Sequence, residues 1–156
     1  MFKKLFSSLF EKKEKFDYNA PITVSNELKL AITVLLVELS AADHEISGFE
    51  GEMVVGIMKN FLQITDDNQI TDLVSQAVTI SQDKAALGNY LSMINEECTV
   101  DQKVLIYSMC CRIVASDDDV ADEERRVLAR IRTQLRLNNT QITLAEEAAG
   151  YSATND

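Results

Sequence analysis

Between residues 25 and 149 apolar side chains recur every three or four positions, and no stretch of useful length alternates apolar with polar. A period of 3.6 belongs to amphipathic helices, so the fold class is all-α. Residues 25–41 carry Leu28, Ile32, Leu35, Leu36 and Leu39, while Leu30, Val34 and Val37 widen that stripe almost to the full circumference. Such a helix belongs in the middle of a bundle. A second helix, 47–63, would bury Phe49, Met53, Val54, Ile57, Met58 and Phe61. It opens with Ser47-x-x-Glu50, a capping box in which hydroxyl and carboxylate each satisfy a free backbone N–H. Thr65, Asp66 and Asp67 place oxygen caps and acids where a helix start favours them, and that helix runs to about Ser81. Residues 83–97 turn Leu87, Leu91 and Ile94 to one side. Thr99-x-x-Gln102 is another capping box, opening a run to Ala115 that is apolar nearly all round. Residues 122–136 face Val127, Leu128, Ile131 and Leu135 inward, and a short helix near 140–149 precedes a polar tail, 150–156.

Residues 1–16 stand apart from this domain of 25–149. Phe2, Leu5, Phe6, Leu9 and Phe10 form a helical stripe, and five lysines against two glutamates make the segment +3. It lacks the continuous apolar core and small-residue cleavage site of a secretory signal. Two readings are open: an interfacial helix whose phenylalanines enter a lipid headgroup layer while its lysines meet anionic lipid, or a first helix docking on the domain or on a second copy of it. Residues 17–24, with the only proline, Pro21, read as a linker. The whole is a bundle of about seven or eight helices.

Sliding the chain by 74 positions superimposes its two halves. Ala41-Ala42-Asp43-His44-Glu45-Ile46-Ser47-Gly48-Phe49-Glu50 falls on Ala115-Ser116-Asp117-Asp118-Asp119-Val120-Ala121-Asp122-Glu123-Glu124, and Leu39, Val54 and Ile57 fall on Ile113, Leu128 and Ile131. Each copy is a buried helix, an acidic turn and an amphipathic helix, a duplication in which the copies bury faces that neither could bury alone. The shared turn reads Asp-x-acid-(Ile/Val)-x-x-x-Glu. Its carboxylates, Asp43, Glu45 and Glu50 in one copy and Asp117, Asp119 and Glu124 in the other, converge from a turn and the helix after it. Oxygen ligands of this kind suit a hard divalent cation such as calcium or magnesium. The spacing is not that of an EF-hand loop, whose bidentate Glu sits at position 12. The same acids are also explained as helix-start residues that interact with the dipole without any ion.

At these residues the chain resembles the TerB-like family, helical domains related to the tellurite-resistance protein TerB. The family's hallmark is a twice-occurring Ala-Asp-Gly-x-(Ile/Val)-(Ser/Thr)-x-x-Glu element, which reads here as 42–50 and 116–124. Both family glycines are replaced, by His44 and Asp118, and Ala121 stands where the second copy should carry its capping hydroxyl. The resemblance spans roughly residues 25–136. It implies a TerB-like helical bundle, a cytoplasmic role or one at the inner face of the membrane in stress response, and a divalent-metal site. The last carries over to Asp43, Glu50, Asp117 and Glu124; Glu45 and Asp119 are added from charge and spacing.

Composition narrows the remaining choices. The chain of 156 residues has a net charge of −10, so the body beyond residue 16 carries −13. Nucleic acid needs a positive footprint and is excluded as a partner. Arg125, Arg126, Arg130, Arg132 and Arg136, close to Asp122, Glu123 and Glu124, read as surface ion pairs. Cys98, Cys110 and Cys111 form no paired disulfide framework, which favours a reducing compartment, and the latter two sit on the most apolar helix as packing groups. With one histidine, no CxxC, no Gly-rich phosphate loop and no nucleophile elbow, the chain reads as a non-enzymatic module with protein partners. The alternative is a peripheral membrane adaptor anchored by residues 1–16.

Overall fold

Among the described residues the apolar periodicity becomes seven α-helices. The computed structural model describes residues 16–41, 48–116 and 122–151, and among them there is no strand. The helices are α1 (Asn26–Ser40), α2 (Gly48–Phe61), α3 (Asp67–Ser81), α4 (Lys84–Glu97), α5 (Val100–Ala115), α6 (Asp122–Gln134) and α7 (Asn139–Ala149). None is long and apolar enough to cross a membrane.

Local chemistry sets their ends. Ser25 Oγ accepts from Leu28 N at 3.2 Å to open α1. The cap of α3 is Asp66, which accepts from Asn68 N at 2.9 Å, so Thr65 stands one residue too early. Asp83 accepts from Ala85 N and Ala86 N at the start of α4. Both arms of the Thr99/Gln102 box form, at 3.1 and 2.9 Å. A further box, Asn138 with Gln141, opens α7. The Ser47/Glu50 box lies outside the residues whose side chains are described. α6 stops at Gln134 and not at 136, because Arg136 turns left-handed at φ 59° and Leu137 N closes on Arg132 O. Gly150, at φ 67°, ends α7 in the conformation glycine adopts without strain.

The repeat read from the sequence is visible in the packing. The 74-residue shift lays α1 on α5, α2 on α6 and α3 on α7. Each contact within or between copies then has its counterpart: α1 packs on α3 as α5 packs on α7, and α1 on α2 as α5 on α6. Across the copies, α1 meets α6 and α5 meets α2, while α1 and α5 meet each other. α4 has no equivalent; it bridges the copies and packs on α1 and α3.

α1 and α5 form the centre. From Ala31 to Ser40 every residue is buried except Glu38, and from Lys103 to Val114 every residue is buried except Arg112. Those two exceptions are equivalent positions under the shift. Two buried hydroxyls inside these helices are satisfied locally, Thr33 Oγ1 donating to Lys29 O at 2.7 Å and Ser108 Oγ to Leu105 O at 2.6 Å. Residues 16–24 lie as a strap on the bundle. Ile22 is 3% exposed and its N–H donates to Phe61 O at 2.8 Å. Tyr18 Oη donates to Asp101 Oδ1 at 3.0 Å beside the Phe16 ring.

Candidate functional site

The two acidic turns connect equivalent helix pairs, α1 to α2 and α5 to α6. Asp43, Glu45, Asp117 and Asp119 lie outside the described residues, as does His44. Glu50 falls in the first turn of α2, but its side chain is not among those described. Glu124 is the sixth candidate and is fully described: it sits in the first turn of α6 and is 1% exposed. Its neighbours Asp122 and Glu123 face solvent. Among the described residues no group of three or more His, Cys, Asp or Glu is arranged to hold a metal ion.

Sequence reading missed two charged residues at equivalent positions of the central helices. Glu38, in the last turn of α1 before the first acidic turn, pairs with Arg130 Nη2 of α6 through Oε1; its side chain is 13% exposed and that of Arg130 50%. Oε2 is buried and accepts no hydrogen bond. Arg130 therefore does not join a surface network with its neighbours on α6; it reaches across the repeat. Arg112, the equivalent of Glu38 on α5, also crosses over. Its guanidinium lies 5.0 Å from the centre of the Phe61 ring of α2, and Nη2 donates to Asn19 Oδ1 at 2.6 Å and Ala148 O at 3.0 Å. The available signal was one acid and one arginine at matching places in otherwise apolar runs.

Burial raises the Glu38 carboxyl above its ordinary value, and the Arg130 guanidinium opposes the shift without cancelling it. A carboxyl raised in the folded state adds stability that is fully present below its unfolded value of 4.5 and is lost as pH rises through the folded value. Glu38→Gln removes this dependence, and the attraction of Arg130 for the ionised carboxylate is already contained in the net upward shift. The melting temperature of Glu38→Gln relative to the parent chain should therefore rise between pH 4 and pH 7 (roughly the titration window of a raised carboxyl). A flat difference would mean that Glu38 does not titrate in that range. Burial also pushes the neighbouring Cys110 thiol up to about 12, with the Glu38 charge adding to the effect, and moves Cys111 in the same direction. Both are fully buried thiols and poor nucleophiles at neutral pH.

The family model described as tellurite resistance protein TerB matches residues 29–147, from the second turn of α1 into the last turn of α7. No curated protein and no solved structure matches the chain. The match takes in nearly all of both central helices, both acidic turns and most of the duplicated frame around them. The chain belongs to the TerB family of tellurite resistance proteins.

Proposed function

We propose that this TerB domain is a non-enzymatic interaction module that binds a divalent cation, calcium or magnesium, at its two acidic turns and presents the loaded turns to a protein partner. The observation that carries the reading is recurrence: the same Asp-x-acid-(Ile/Val)-x-x-x-Glu sequence joins two helix pairs that are equivalent in the packing. A capping role alone asks for an acid in the first helical turn; it does not ask for acids at positions 1 and 3 of both turns. In the proposed site Asp43, Glu45 and Glu50 take one ion and Asp117, Asp119 and Glu124 the other, with buried Glu124 as the inner ligand. The domain works in a reducing, stress-exposed compartment, consistent with three free thiols.

An ion that binds only the folded chain stabilises it by about 2.7 kcal/mol at 100 times its Kd, roughly 5–10 °C for a domain of this size. Calcium, magnesium or manganese at millimolar concentration should raise the melting temperature, and Asp43→Asn with Asp117→Asn should abolish the gain. No stabilisation by any of the three ions would leave the turns as helix caps.

A second reading is carried by residues 1–16, whose +3 charge and phenylalanine stripe contrast with the acidic body. It makes the domain a peripheral adaptor at an anionic membrane surface. The full chain should then co-sediment with phosphatidylserine vesicles while a chain starting at residue 17 stays in the supernatant. Equal partitioning of the two removes this reading.

A further inference from the structure

A cleft of about 290 Å³ opens where the last turn of α1, the α3–α4 corner and α6 meet. That volume is at the lower edge of the range that takes small molecules. Its floor is apolar, made by Leu87, Gly88 and the buried Leu91, and its polar rim is the Glu38–Arg130 pair with Lys84.

Two residues of this cleft run against the stability of the helix that carries them. Lys84 is the first residue of α4, where a cation faces the positive end of the helix dipole. Among the described residues nothing compensates it: the neighbouring Asp83 carboxylate is spent on capping Ala85 N and Ala86 N, and no described acid lies within ion-pair distance of Lys84. Gly88 sits inside the same helix, where glycine is the least favourable residue after proline. Its backbone does not require glycine, since φ is not positive, and a Cβ there would meet no atom within 4 Å. Packing therefore does not exclude a side chain at 88; its absence leaves the cleft floor open. When local choices oppose the fold and converge on one cavity, the cavity is where their use is to be sought.

We propose that this cleft binds a small organic monocarboxylate. The Glu38–Arg130 pair is neutral as a unit, so Lys84 leaves the rim with one positive charge in a chain of net charge −10. A carboxylate bridges the Lys84 ammonium and the guanidinium N–H groups of Arg130 that Glu38 does not occupy, and a few carbons of apolar body lie on Leu87 and Leu91. A phosphate dianion would leave a second negative charge beside Glu38 and has no carbon to set on the floor.

The test is an amide NMR titration of the full chain with butyrate, set beside butanol and inorganic phosphate. Butyrate should shift the amides of Ser81, Gly88 and Gln134, which border the cleft, with saturation at millimolar concentration. Lys84→Met should weaken it by about tenfold, a charge-assisted hydrogen bond. Gly88→Leu should abolish the shifts while keeping the melting temperature at or above that of the parent chain, because leucine fills the floor and favours the helix. The proposal is overturned by an absence of saturation, by unchanged affinity in Lys84→Met, or by butanol or phosphate binding as well as butyrate.

Discussion

Leu39→Ala and Ile113→Ala should each destabilise the protein by about 2–5 kcal/mol, the largest effects expected of single substitutions here. The two residues are equivalent under the 74-residue shift, both are 0% exposed, and both stand near the C-terminal ends of the central helices α1 and α5. Truncation removes the transfer energy of three methyl or methylene groups and leaves a cavity that tightly packed neighbours cannot fill. Because α1 and α5 meet matching sets of helices, the two penalties should fall within about 1 kcal/mol of each other, inside the spread seen for a single truncation type. Val100→Ala, at a position 49% exposed on α5, should cost less than about 0.5 kcal/mol. Denaturant unfolding with unchanged slope measures all three. A large cost at one central position and almost none at the other would mean that the duplication has survived in sequence but not in energetics.

Arg112→Ala should cost about 2–4 kcal/mol, more than an ordinary arginine on a helix surface. One guanidinium holds three parts of the fold: Asn19 of the strap, the carbonyl of Ala148 near the end of α7, and the Phe61 ring at the end of α2. A hydrogen bond to a charged group contributes about 1.5–3 kcal/mol, and a partly desolvated cation over an aromatic ring about 0.5–2 kcal/mol. Burial lowers the pKa of Arg112, yet an arginine so shifted remains charged at neutral pH. Lysine should recover less than half of the loss, since an ammonium restores charge and donors but not the planar guanidinium that donates from its edge while lying over the ring. Melting curves of the alanine and lysine variants decide it; full rescue by lysine would show that only charge matters at this position.

The helical class, the two central helices and the duplication were legible because each rests on a short-range signal. Apolar spacing of three and four marks the helices, the near-continuous runs at 28–39 and 104–114 mark the centre, and a shift of 74 aligns the halves. Helix ends were read less well, for local reasons. Asp66 outcompetes Thr65 as a cap, and Arg136 takes a left-handed turn that side-chain type alone does not announce. Of the six acids named for the turns, Glu124 shows the limit of reading charge from sequence. Next to Asp122 and Glu123 it looks like one more exposed acid, but it is 1% exposed, because it falls on the inward side of α6 together with Leu128 and Ile131.

By itself, then, the sequence determined which segments are helices, which two are central and where the acidic turns recur. These properties follow from hydrophobic periodicity and from capping chemistry within a few residues. Tertiary structure alone decided what the polar residues of those helices do. Glu38 and Arg112 are isolated charges in apolar runs, and their partners, Arg130 and Phe61, are 92 and 51 residues away. The cleft beneath Lys84 likewise exists only because α1, α4 and α6 meet there. Long-range pairing depends on how helices cross, and the periodicity that makes a helix carries little information about which neighbour its exposed edge will find.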